Sequence, residues 1–255
     1  MAATFSITPI GAFSDNYIWL LHQGARAVAV DPGEAAPLLR HLAREQLTLE
    51  AVLVTHHHAD HIGGLPELKQ AWPDVVVYGP PGIAGVDVPL MEGDVVSLSM
   101  GQAQVLAVPG HTLDHLAYLL NEALFCGDTL FAAGCGRLFE GSPAQMLDSL
   151  KKLAALPPQT KVYPAHEYTL SNLRFALAAE PANPVLAMRQ SRDQALRERG
   201  QPTLPSTLAL EVASNPFLRC GEPGVRESLL RQGGQADEDE TARFARLRDW
   251  KNRFG

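Results

Sequence analysis

Apolar residues in the first two thirds of the chain gather in short runs: Ile18–Leu21, Ala27–Val30, Ala51–Val54, Val75–Tyr78, Val105–Val108, Leu116–Leu120 and Ala123–Cys126. Runs this short, punctuated by Gly, Pro and Asp, predict strands. Between them the spacing predicts helices over Glu34–Gln46, Ile62–Trp72 and Pro143–Ala155. The last has Ser142 as N-cap and Pro143 at the first helical position, where a missing amide hydrogen costs nothing. Strands outnumber helices, so we expect sheets covered by helices on their outer faces, not a doubly wound parallel sheet.

Beyond Glu167 the pattern becomes helical and richer in Arg and Ala. It predicts helices over Thr169–Ala179, Val185–Arg199, Ser206–Val212 and Glu238–Arg253, separated by prolines at 181, 184, 202, 205 and 216. Two domains are expected, residues 1–166 and a small all-helical domain over 167–255. Charge divides in the same place: 1–166 hold 16 acidic against 8 basic residues, 167–255 hold 12 against 13. The net charge of −7 disfavours nucleic acid as the main partner. No run is long enough to cross a bilayer and the N-terminus lacks the pattern of a secretory signal, so we expect a cytoplasmic protein. Nothing in the sequence demands an interface, and a monomer is expected. Cys126, Cys135 and Cys220 form no CxxC pair and read as incidental thiols.

Directly after Ala51–Val54 comes Thr55-His56-His57-His58-Ala59-Asp60-His61. Alternation along an extended segment places His56 and His58 on one side and turns His57 away. Asp60 and His61, opening the next helix, can reach a second point nearby, so one loop can feed two metal ions. Each ion needs about four ligand positions. Further donors stand after apolar runs in Pro109-Gly110-His111-Thr112, Cys126-Gly127-Asp128-Thr129 and Pro164-Ala165-His166-Glu167. A closed structural zinc site would favour cysteines, and this set has none. His22 and His41 read as surface or half-buried residues, and His115 as a supporting or packing residue.

The motif His56-x-His58-x-Asp60-His61 with His111, Asp128 and His166 resembles the metallo-β-lactamase superfamily. The fold implied is α+β, an αββα four-layer sandwich, here with the small C-terminal all-helical domain. By that resemblance His56, His58 and His111 hold one metal, Asp60, His61 and His166 a second, and Asp128 bridges them. The implied cofactors are two divalent ions, zinc foremost, with iron or manganese as alternatives. Two such ions can acidify a bridging water, giving a hydroxide that attacks an acyl carbonyl. Asp60, with a spare oxygen, would orient it, which makes Asp60 and Asp128 the candidate catalytic carboxylates.

Over nearly its full length the chain resembles the hydroxyacylglutathione hydrolase (glyoxalase II) family. The resemblance rests on Ser14-Asp15-Asn16-Tyr17, Val30-Asp31-Pro32, Cys126-Gly127-Asp128-Thr129-Leu130-Phe131, Gly134-Cys135-Gly136-Arg137, Ala165-His166-Glu167-Tyr168-Thr169 and Asn215-Pro216-Phe217. It implies hydrolysis of S-D-lactoylglutathione to D-lactate and glutathione, the second step of methylglyoxal detoxification. It also implies substrate binding by Arg137, Tyr168, Arg248 and Lys251, cations suited to the carboxylates of glutathione. Phe139 stands where some members have a tyrosine, a change that removes one hydrogen-bond donor. A persulfide dioxygenase of the same superfamily is the alternative, and the paired Arg248 and Lys251 count against it. A β-lactamase and a non-catalytic metal-binding module are weaker readings.

Overall fold

The computed structural model describes residues 5–254, which pack as two compact units. The first comprises residues up to Ala107 together with Asp114–Gly127. Its first sheet contains β1 (Ser6–Ala12), β2 (Asn16–Gln23), β3 (Arg26–Val30), β4 (Thr48–Leu53), β5 (Val76–Gly79) and β6 (Val88–Pro89), in that spatial order. The pairs β1–β2 and β2–β3 are antiparallel, whereas β3 through β6 run parallel. The crossovers from β3 to β4 and from β4 to β5 are made by α1 (Ala35–Glu45) and by α2 (Ala59–Ile62) with α3 (Leu65–Ala71).

Leu38 and Leu42 of α1 and Leu65 and Leu68 of α3 share a buried cluster with Ile18, Leu20, Ala27, Ala29 and Val52. The opposite-facing Leu21, Val28, Val30 and Leu53 are buried as well. Strands covered on both faces read as unbroken apolar runs without alternation, which is why Ala27–Val30 and Ala51–Val54 stand out in the sequence. The antiparallel array β7 (Val95–Leu98), β8 (Gly101–Ala107), β9 (Leu116–Leu120) and β10 (Ala123–Gly127) completes this unit.

The second unit comprises Val108–Leu113 and the chain from Asp128 onward. It opens with a small hairpin, β11 (Leu130–Phe131) and β12 (Gly134–Cys135), followed by α4 (Pro143–Ala154) and β13 (Lys161–Pro164). Then come α5 (Thr169–Ala179), α6 (Pro184–Glu198), β14 (Ser206–Thr207), α7 (Leu208–Ser214), α8 (Pro223–Arg231) and α9 (Glu240–Arg253). Phe175, Phe217, Phe244, Trp250 and Phe254 form a chain of stacked and edge-on rings that holds α5 and α9. Among the described residues no helix is long and apolar enough to cross a membrane.

Several details differ from expectation. The helix expected over Ile62–Trp72 is two, broken at Gly63-Gly64, where the backbone of Gly64 lies against that of Pro32 (N–O 2.9 Å). The Ser206–Val212 element begins as β14, which pairs antiparallel with β13, before turning helical. The helix α8 lies where the sequence pattern predicts no helix.

Candidate metal centre

In the first unit the histidine loop leaves the C-terminal edge of parallel strands, where α/β sheets present their ligands. Asp31 follows β3 with a left-handed backbone (φ 51°), and its amide bonds Leu53 O at 3.0 Å. Its carboxylate, 5% exposed, takes Thr55 by two bonds, from the amide to Oδ1 and from Oγ1 to Oδ2, each 2.8 Å. Thr55 Oγ1 in turn lies 3.0 Å from His56 Nδ1, and Asp31 Oδ2 lies 3.0 Å from His61 Nδ1. One buried carboxylate thus supports two imidazoles, His56 through Thr55 and His61 directly. With Nδ1 facing such a partner, each ring would have Nε2 available to a metal ion, the usual support of a metal-binding histidine.

His56 Nε2 and His58 Nδ1 face each other at 3.0 Å. Two nitrogens about 2.0–2.1 Å from one zinc-type ion lie roughly that far apart or slightly farther. Asp60 is half-buried and accepts from Asn16 Nδ2 at 3.0 Å. Gly33 is required nearby, since a Cβ there would stand 1.9 Å from the Asp60 carbonyl oxygen. His57 points out and meets Asp114 Oδ2 at 3.0 Å, as its alternate position in the loop predicts. His115 is fully buried and stacks on His56, with centroids 4.6 Å apart and planes 16° apart.

In the second unit Asp128 turns one oxygen to each of two imidazoles. Its Oδ2 lies 3.4 Å from His111 Nε2 and its Oδ1 lies 3.4 Å from His166 Nε2. His111 Nδ1 donates to the Arg137 carbonyl at 2.9 Å, fixing the tautomer that leaves Nε2 free to coordinate. Aromatic rings cover both histidines. Phe139 meets His111 edge-on at 5.2 Å, and Tyr168 stacks on His166 at 4.7 Å with planes 6° apart.

Phe139 and Tyr168 are themselves 63% and 37% exposed, and Arg137 is exposed, so all three are open to a ligand. Arg248 is 5% exposed, donates from Nη1 to the Cys135 carbonyl at 2.8 Å and lies 5.0 Å above the Phe217 ring. Lys251 is half-buried, bonded to Ser171 O at 3.3 Å. Burial, then the charges of Arg248 and Arg174, lower its pKa to about 8. The three cysteines are free and buried, and burial raises the Cys135 and Cys220 thiols, the latter to about 11, so both stay protonated and inert.

The described His and Asp residues therefore form donor sets of the kind that hold divalent ions. The metallo-β-lactamase superfamily profile matches residues 12–85 and 80–166, and the profile for the C-terminus of hydroxyacylglutathione hydrolase matches 167–254. A hydroxyacylglutathione hydrolase of Photobacterium profundum is 51% identical over 98% of this chain and 99% of its own length. One of Cupriavidus taiwanensis is 53% identical over 97% and 98%. The chain belongs to the hydroxyacylglutathione hydrolase family.

Among solved structures, the BLEG-1 B3 metallo-β-lactamase aligns with a TM-score of 0.63 at 24% identity over 84% of this chain and 99% of its own. ETHE1 from Myxococcus xanthus aligns at 0.58 and 30% identity over 86% and 100%. The metallo-β-lactamase fold expected from the sequence is borne out, with the helical C-terminal region of the hydroxyacylglutathione hydrolase family. Asp31, Thr55 and Asn16 were not assigned a role from the sequence. The signal for Asn16 and Asp31 lies in Ser14-Asp15-Asn16-Tyr17 and Val30-Asp31-Pro32, polar residues that open or end apolar strands, and that for Thr55 in its place at the end of the run Ala51–Val54.

Proposed function

We propose that the chain hydrolyses S-2-hydroxyacylglutathiones, S-D-lactoylglutathione foremost, to the hydroxy acid and glutathione at a binuclear metal centre. The observation that carries this reading is Asp128, whose two oxygens face His111 and His166 equally at 3.4 Å, as a carboxylate shared between two ions would. Full-length relatives at 51% and 53% identity support the thioester substrate. His56, His58 and His111 would hold one ion, Asp60, His61 and His166 the other, with Asp128 common to both, and zinc is the proposed metal. When bound, the ions supply Lewis acidity and an acidified water.

The chain's own groups do the rest. Asp60, held by Asn16, is a candidate for orienting the attacking water through its second oxygen. A thiolate leaves without a strong general acid, and none is needed near the reacting carbonyl. Arg137 and Lys251 offer charge to the glutathione carboxylates, and the exposed rings of Tyr168 and Phe139 offer flanking surface. Arg248 joins that set through its charge and through its hold on the loop before Arg137. A division into a catalytic domain, 1–166, and a substrate-binding domain, 167–255, is supported by the boundary between the two family matches. A cytoplasmic monomer is proposed.

The test is metal analysis of the purified protein with a thioester assay that follows loss of absorbance from S-D-lactoylglutathione. No turnover by fully metallated protein overturns the reading. Oxygen consumption with glutathione persulfide would favour the dioxygenase alternative.

A further inference from the structure

The hairpin β11–β12 joins two parts of the proposed site, because Asp128 precedes it and Arg137 follows it. Its ends are closed on each other. A Cβ at Gly136 would stand 1.9 Å from the Asp128 carbonyl oxygen, and the Gly136 amide bonds Thr129 O at 3.2 Å. The hairpin has almost no strand pairing of its own, only Leu130 with Cys135 and Phe131 with Gly134. Its tip contains Ala133 in a left-handed conformation (φ 54°), which is unfavourable for an alanine.

Support for the hairpin comes from side chains of the helices. Asn215 Nδ2 donates to Phe131 O (3.1 Å) and Gly134 O (2.9 Å), gripping both strands at once. Glu211 Oε2 accepts the Ala133 backbone amide at 2.8 Å and also the Asn215 side-chain Nδ2 at 3.2 Å. Asn172 donates to Ala132 O at 3.1 Å. The other Glu211 oxygen is bound by Arg189 at 2.6 Å and by Ser206, so the buried carboxylate is fixed from behind. None of these bonds is made to a proposed metal ligand, so metal binding does not explain them. Yet Asn215-Pro216-Phe217 is among the motifs that mark the sequence.

We infer that Asn215 and Glu211 are positioning residues for the reaction: by clamping the β11–β12 hairpin they fix the Asp128 carboxylate and the Arg137 side chain relative to each other. This rests on the proposed roles of Asp128 in metal binding and Arg137 in substrate binding. The helical region is then more than a binding surface, because it also sets the geometry of the loop that carries a metal ligand. Displacements of about 1 Å in such a loop can cost on the order of 100-fold in rate.

The test compares Asn215→Ala with Ser142→Ala in the full-length metallated protein. Ser142 caps α4, where its Oγ accepts the Gln145 amide at 3.2 Å, and its bonds involve none of the clamp residues, so its loss reports simple destabilisation. Asn215→Ala is expected to lose metal to a competing chelator about tenfold more readily and to raise both KM for the thioester and the inhibition constant of free glutathione. Ser142→Ala is expected to lower Tm with these three quantities unchanged. A fall in Tm for Asn215→Ala with metal retention and KM as in the wild type overturns the inference. Should Asn215→Ala fail to fold, Asn172→Ala, which removes one bond to the same hairpin, is judged by the same criteria. If the wild type neither cleaves the thioester nor binds glutathione, the substrate reading falls, and the metal-retention comparison still decides whether the clamp positions Asp128.

Discussion

Asp31 holds Thr55 by two hydrogen bonds of 2.8 Å, one from the amide and one from the hydroxyl, in a pocket that excludes solvent from both residues. The pair ties the ends of two neighbouring parallel strands and passes orientation on to His56 and His61. Replacing Asp31 tests whether that orientation matters for metal. Asp31→Asn is the better variant, because asparagine tolerates the left-handed backbone (φ 51°) that would strain alanine. It retains one acceptor but turns an amide NH2 toward Thr55 or His61. We expect metal affinity to fall by roughly 10- to 100-fold, measured by competition with a chelator, with kcat restored at saturating metal. Unchanged affinity would remove Asp31 from the support of the centre.

Lys251 gives the protein a pH dependence unrelated to the metal ligands. Burial and the positive charges of Arg248, Arg174 and Arg137 lower its pKa from 10.5 to about 8, while Cys135 opposes the shift. Between these values the unfolded chain holds a proton that the native protein has released. Its contribution to stability therefore grows as pH rises from about 8 toward 10.5. Binding has the opposite sign, since an anionic substrate favours the ammonium. KM is expected to rise as pH passes about 8, and Lys251→Arg, which stays charged, should flatten that rise. An identical KM profile for both proteins would exclude Lys251 from substrate binding.

The parts of this molecule that follow from local physics were legible in the sequence. Strands such as Ala27–Val30, buried on both faces, announce themselves as apolar runs, and the histidine loop announces a metal because few other settings gather four imidazoles within six residues. What escaped depends on partners distant along the chain. The edge strand β1, with only Ile10 and Ala12 buried, lacks a strong pattern. The hairpin β11–β12 is too short to show periodicity and exists because Asn215 and Glu211, some 80 residues later, satisfy its backbone. Arg248, which the family resemblance marks for substrate binding, is buried against Cys135 and Phe217, contacts across more than 100 and 30 residues that no local pattern announces.

Ser142 offers a change in stability without a change in chemistry. Its hydroxyl accepts the Gln145 amide at 3.2 Å, and Gln145 Oε1 accepts the Ser142 amide at 2.9 Å, a reciprocal capping box at the start of α4. Ser142→Ala removes half of that arrangement and should cost about 1 kcal/mol. For a chain of this size the thermal midpoint should fall by about 2–4 °C. Calorimetry alongside the thioester assay checks both parts, with KM and kcat expected to stay at wild-type values. A loss of activity as large as the loss of stability would mean that α4 takes part in the site.

Phe139 allows the substrate side to be tested by addition. Its ring is 63% exposed and stands edge-on to His111, so a phenolic hydroxyl can be added without being buried or displacing a neighbour. In family members with a tyrosine at this place, the hydroxyl is a donor this chain lacks. One further hydrogen bond to the glutathione moiety is worth on the order of 1 kcal/mol. Phe139→Tyr is therefore expected to lower KM by about fivefold, with kcat, metal content and Tm unchanged. The separation is informative, because a hydroxyl that binds the ground state and transition state equally changes KM alone. A lower kcat with unaltered KM would place the ring against the reacting atoms instead, over His111, and would assign glutathione recognition to Arg137, Tyr168 and Lys251 without it.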